Sequence, residues 1–182
     1  RYHPIYEAAE RNDLPIVMHS VATTNVGFPL QTDYFHKFVE VDSISHTFQQ
    51  MTQVASLLCR GVPAKYPDLR FVCLEAGLSW LPFLYRLDTE VLSRPNETPL
   101  LEKRPTEYFK DQFWVACQPF EEMRGFPGGD YLAEFCGGWD RVVFATDWPH
   151  WDFDSPTIVR NHVPAEHRAA VWGENAREAL RL

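Results

Sequence analysis

The sequence predicts an α/β protein, a parallel β-sheet covered by helices. Helix-periodic segments alternate with short apolar runs, and the runs are near-continuous in the way that strands buried on both faces are. The runs also end on charged or polar groups, which suits strands whose carboxyl ends meet at a ligand site.

The first cycle is helix, turn, strand. Residues 3–12 place Ile5, Ala8 and Ala9 on one helical face, Asp13-Leu14-Pro15 breaks the helix, and Ile16-Val17-Met18-His19 follows as a buried strand. The same grammar returns with an apolar-periodic stretch from about Thr47 to Lys65, a Tyr66-Pro67-Asp68 turn and a strand from Leu69 to Glu75. Residues 78–93 read as a helix, 94–111 as a polar, proline-containing loop, and Gln112 to Cys117 as the third strand. A helix near 130–137 leads through Gly137-Gly138 into a fourth strand, Arg141 to Ala145. Residues 164–182 read as a short helix, a stop at Gly173 and a last helix capped by Asn175.

Four strands make half of a closed (β/α)8 barrel, which needs eight strands and about 250 residues, or else a small open doubly wound sheet. No glycine-rich phosphate fingerprint follows any strand, which counts against a nucleotide-binding open sheet. With 182 residues and 45% hydrophobic side chains, the chain reads as a single domain over 1–182. Arg1 is not a methionine and lies at the edge of a helix-like segment, so a fragment of a longer protein is expected.

Charge narrows the partners. The 17 basic and 25 acidic residues give a net charge of -8, with no Lys/Arg run to track a phosphate backbone, so nucleic acid and anionic membranes are not expected partners. The four cysteines form no C-x-x-C pair, and no apolar stretch approaches the roughly 18 to 20 residues of a membrane span. Reduced thiols in a cytoplasmic protein acting on a small-molecule substrate are the expectation.

The chemistry collects at the strand ends. His19 follows the first strand, Glu75 the second, Cys117-Gln118 the third and Asp147 the fourth. Imidazole and carboxylate are the usual ligands of a catalytic divalent ion, so a shared metal site outweighs the separate structural roles of rim histidine, helix-starting Glu and turn-capping Asp. His150 lies on the loop beyond Asp147, either facing substrate or as a hydrogen-bond partner of a ligand. Arg86 suits a bidentate clamp on a substrate carboxylate, or a surface ion pair with Asp88 or another acid. His46 has no strand-end position and reads as structural. Trp80, Trp148 and Trp151 are candidate walls for a planar substrate.

Four segments, LPIVMHS, GVPAKYPDLRFVCLEAGLSWLPFLYRLD, VVFATDWPHWDFDSP and WGENAREALRL, resemble in that order the amidohydrolase-related family that includes aminocarboxymuconate-semialdehyde decarboxylase. The resemblance implies a distorted (β/α)8 barrel, of which this chain covers about strands five to eight, with one or two divalent metals, usually zinc, at the carboxyl-end rim. Manganese and iron also suit His and Asp ligands. His19 then matches the strand-five metal histidine, and Asp147 the strand-eight aspartate that binds metal and relays a proton. Arg86 matches an arginine offered to a substrate carboxylate across a homodimer interface. His150 and Trp148 match the loop after strand eight, where they are candidates for contact with substrate.

Two departures qualify this. The decarboxylase branch ends strand six on a histidine acting as general acid/base, where this chain has Glu75, a carboxylate able to serve as base or ligand. The first-strand His-x-His or Glu-x-His pair has no counterpart in these residues, so the half-barrel alone is expected to bind metal poorly and to leave two sheet edges open. The expected activity is hydrolysis, or non-oxidative decarboxylation, of a small aromatic or unsaturated carboxylic acid. The rivals are a non-catalytic half-barrel that pairs with a partner, and an open-sheet binding module.

Overall fold

A computed structural model describes residues 1–20, 34–121 and 128–182. Four strands, β1 (Ile16–Met18), β2 (Phe71–Cys73), β3 (Phe113–Ala116) and β4 (Val142–Val143), form one parallel sheet in the order β1-β2-β3-β4. Among the described residues eight α-helices accompany them: α1 (His3–Arg11), α2 (Phe38–Cys59), α3 (Val62–Lys65), α4 (Phe83–Ser93), α5 (Pro105–Gln112), α6 (Gly129–Phe135), α7 (Pro156–His162) and α8 (Asn175–Leu180). Strand neighbours in space are neighbours in sequence, as in one arc of a barrel wall. Among the described helices, none is long and apolar enough to cross a membrane.

Side-chain alternation divides the sheet into two faces. Phe71, Cys73, Phe113, Val115 and Val142 point into the main core with the helices. There Phe71 and Phe109 each stack with Phe113, both at 4.6 Å between ring centroids. Burying each such ring stabilises by about 1.5–3 kcal/mol. Val72, Trp114, Ala116 and Val143 form the other face, closed by Ala176, Ala179 and Leu180 of α8. Val17, in register with Val72, extends that apolar row to β1 and is 47% exposed at the open edge.

Helix starts follow local chemistry. Glu40 accepts from the Lys37 backbone N–H at 2.8 Å at the start of α2, and Glu107 does the same for Arg104 at the start of α5. Helix α2 thus begins well before Thr47, and it ends at Cys59, ahead of Gly61. Gly61 has φ +66°, and a Cβ there would sit 2.5 Å from Leu100, so only glycine fits this break. Helix α5 corrects the loop expected over 94–111: Pro105 in its first turn and Glu107 at its third position outweigh the polar composition.

The C-terminal expectation is also corrected. Gly173 does not stop a helix; a π-helical turn, Ala170–Glu174, runs directly into α8. With no new helix start to cap, the buried Asn175 amide donates to the carbonyls of Trp139 at 2.8 Å and Val142 at 2.7 Å, fastening the terminal helix to the entrance of β4.

Candidate metal centre

The end of β2 and the loop after β4 bring two carboxylates together. Glu75 and Asp147 both adopt left-handed backbone, with φ +55° and +62°, which is unfavourable for residues bearing a Cβ. Such conformations persist where surrounding contacts over-determine them. Behind Glu75, Glu121 accepts from the N–H groups of Leu78 at 2.7 Å and Ser79 at 2.9 Å. Gly77, at φ +62°, leaves room for that carboxylate, since a Cβ would lie 2.8 Å from it.

One donor atom from each of Glu75, Asp147 and His150 lies within 4.8 Å of the others. His19, at the end of β1, joins this group through a contact of its Nε2 with Glu75 Oε2. His150 Nδ1 donates to Asp147 Oδ2 at 2.7 Å, and this hydrogen bond holds the exposed imidazole pKa above its usual value. A carboxylate on one ring nitrogen fixes the orientation of the other, the arrangement common to metal-site and proton-transfer histidines.

A cleft of about 350 Å³ opens on this group. Asp42 and His46 of α2 line it, with Trp151 and Asp152 from the loop after β4, and no Lys or Arg is among its described lining residues. Burial raises the pKa of Asp42, the Asp152 carboxylate raises it further and His46 opposes the rise. Phe38 and Trp151 meet edge to face at 6.0 Å and form an aromatic wall.

His19, Glu75, Asp147 and His150 are therefore brought together at one rim, whereas Arg86 and Trp148 are not. Arg86 lies exposed on α4 and pairs with Glu90 at 2.5 Å. Asp88, the other acid considered for it, is buried and accepts from the Thr106 N–H and hydroxyl at 2.9 and 2.6 Å. Trp148 is 72% exposed and packs on Phe153, and Trp80 is buried with its indole N–H on the Gly77 carbonyl. Of the three tryptophans, Trp151 alone lines the cleft.

His46, read from sequence as structural, places Nε2 3.3 Å from Glu75 Oε1. The available signal was its i, i+4 spacing from Asp42, which puts two chemical groups on one face of α2. The cysteines stay outside the chemistry. Burial pushes the thiols of Cys117 and Cys136 up to about 11 and about 12, far from the thiolate form.

A half-barrel sheet whose strand ends gather imidazole and carboxylate defines a class of metal-site proteins built on α/β barrels. The chain belongs to the amidohydrolase family, whose sequence model matches residues 1–182. No curated protein sequence matches it. Among solved structures it is similar to 5-carboxyvanillate decarboxylase from Sphingomonas paucimobilis, with 21% identity, a TM-score of 0.77, and coverage of 100% of this chain and 53% of that one. A dihydroxybenzoic acid decarboxylase from Polaromonas, solved with manganese and the inhibitor 2-nitroresorcinol, matches with 19% identity, a TM-score of 0.76, and coverage of 100% and 54%. The 2,6-dihydroxybenzoate decarboxylase from Rhizobium matches with 20% identity, a TM-score of 0.76, and coverage of 99% and 55%. The chain spans about half the length of these barrel proteins, and the likeness establishes a partial (β/α)8 fold.

Proposed function

We propose that this chain supplies strands five to eight of a metal-dependent enzyme that decarboxylates a small aromatic or unsaturated carboxylic acid without oxidation. The observation that carries this reading is the meeting of Glu75, Asp147 and His150 donor atoms within 4.8 Å, at the mouth of an aromatic-walled cleft. The decarboxylases of aromatic acids among the similar structures support it. Hydrolysis is the second reading, favoured by Glu75 standing where the decarboxylase branch is expected to have a histidine, because a carboxylate suits activation of water.

The donor chemistry fits a divalent ion, since hard carboxylate oxygens and imidazole nitrogen are ligands of zinc and manganese. Asp147 and Glu75, with His19 beside them, would hold it; zinc is our assignment and manganese the alternative. When bound, the ion supplies Lewis acidity at a substrate oxygen.

The remaining work falls to side chains. His150, held through Nδ1 by Asp147, whose hydrogen bond raises the imidazole pKa, lines the cleft and would be the proton donor. In decarboxylation that proton passes to the ring carbon bearing the carboxylate; the C–C bond then breaks, its electron pair stays with the ring, and CO2 leaves. Phe38 and Trp151 offer a planar ring an aromatic surface at the edge of the cleft. Arg86 stands outside this cleft, and in our reading it serves the site of a second copy in a homodimer.

The test uses the protein expressed from its natural gene, with metal content and CO2 release from hydroxybenzoates measured for the wild type and for Asp147→Ala. About one metal per chain and a loss of about a hundredfold or more in turnover are expected. Unchanged metal content and turnover in the variant overturn the proposal.

A further inference from the structure

Two contacts reach the end of β2 from consecutive residues of α2. His46 Nε2 lies 3.3 Å from Glu75 Oε1, and the Thr47 hydroxyl donates to the Ala76 carbonyl at 3.4 Å. Helix α2 is a firm base for both, being 22 residues long and anchored by buried Val41, Ser45, Gln49, Gln50, Val54, Leu57 and Leu58. What it holds needs holding: Glu75 combines a left-handed backbone at φ +55° with a flexible side chain.

We propose that His46 is a positioning residue for Glu75, gripping one carboxylate oxygen from α2 and so aiming the other into the cleft. This deepens the function proposed above and rests on it. An ionised carboxylate oxygen only accepts, so the Nε2 that faces it carries the hydrogen. The two imidazoles on Glu75 differ in what else they can do. The His19 side chain is 50% exposed at a strand end, and an Nε2 that donates to Glu75 cannot offer its lone pair to an ion at the same moment. The His46 side chain is 13% exposed and is held on α2 at the cleft wall, off the strand ends. Any engagement of His19 elsewhere therefore leaves Glu75 dependent on His46. Hydrogen-bond partners of ligating groups commonly set metal affinity by tenfold to a hundredfold.

The experiment has two arms. In the first, Mn²⁺ binding is titrated by electron paramagnetic resonance for wild type, His46→Ala and His46→Gln, since the glutamine amide restores an N–H near the position of Nε2. His46→Ala is expected to bind about tenfold to a hundredfold more weakly, with His46→Gln within about threefold of wild type. Wild-type affinity in His46→Ala, or equal loss in a folded His46→Gln, overturns the proposal. In the second arm, long-range 1H–15N NMR without metal reads the His46 ring in wild type and in Glu75→Gln. An Nε2–H resonance that moves in Glu75→Gln is expected; an Nδ1–H tautomer, or no response, overturns the proposal. A wild type that takes up no Mn²⁺ defeats the metal reading, while the second arm still decides the role of His46.

Discussion

At the amino end of the sheet, Asp13 has the same left-handed backbone as Glu75 and Asp147 at the carboxyl end, with φ +54°, but the three carboxylates keep different company. Arg70 NH1 donates to Asp13 Oδ1 at 2.6 Å, its NH2 to the Asp13 carbonyl at 2.6 Å and its Nε to the Ala179 carbonyl at 3.0 Å, while Arg181 Nε lies 3.3 Å from Asp13 Oδ2. Nearby, Arg141 lies 4.2 Å over the ring of Trp114. Glu75 and Asp147 meet only histidines among the described ion pairs. Guanidinium is always charged and spends its donors in fixed geometry, so the amino end is closed to further chemistry. Imidazole exchanges protons and can ligate, so the carboxyl end remains available. The difference teaches that the partner of a strained acid, more than the acid itself, separates stability from function in this fold.

This contrast can be broken most readily at Arg70. Arg70→Met keeps the apolar stem but leaves the buried Ala179 carbonyl without its donor, while the exposed Asp13 carboxylate turns to water, so stability should fall by about 1–2 kcal/mol. In thermal denaturation that is a shift of about 3–7 °C for a chain of this size, with Mn²⁺ affinity unchanged. An equal loss of metal affinity and stability would erase the distinction between the two ends. Glu75→Gly should have the opposite profile. Removing the Cβ from a left-handed residue relieves about 0.5–1 kcal/mol, so the unfolding midpoint should rise while Mn²⁺ binding weakens.

The smallest expected effect concerns pH. The hydrogen bond from Arg70, aided by its charge and that of Arg181, holds the Asp13 pKa below its ordinary value. A folded-state pKa below the unfolded one contributes stability that is present above the unfolded value and lost as pH falls through the folded value. Wild type should therefore exceed Asp13→Asn in stability above about pH 4–5, with the gap closing as pH falls below the ordinary aspartate value of about 3.9. A gap that widens on acidification would show that the Asp13 charge does not stabilise the amino end.

Much of this was legible along the chain because the signals are local. The Phe-Val-Cys and Val-Val-Phe runs specify buried strands through composition alone, and the residues that follow them place Glu75 and Asp147 at strand ends whatever the helices do. Helix α5 was hidden because a polar composition masked its proline and glutamate start signals. Asn175 was misread as a cap because its local sequence resembles one, while its amide finds carbonyls 33 and 36 residues away.

By itself, then, the sequence determined the α/β class, the strand order of chemistry and the rim on which His19, Glu75 and Asp147 stand, since periodicity and strand direction need no distant contact. Only the tertiary structure decided that His46 reaches Glu75, that Trp151 rather than Trp148 walls the cleft, and that Arg86 pairs with Glu90 outside it. Those outcomes depend on how helices rotate and seat against the sheet, which is set by packing among residues far apart in the chain.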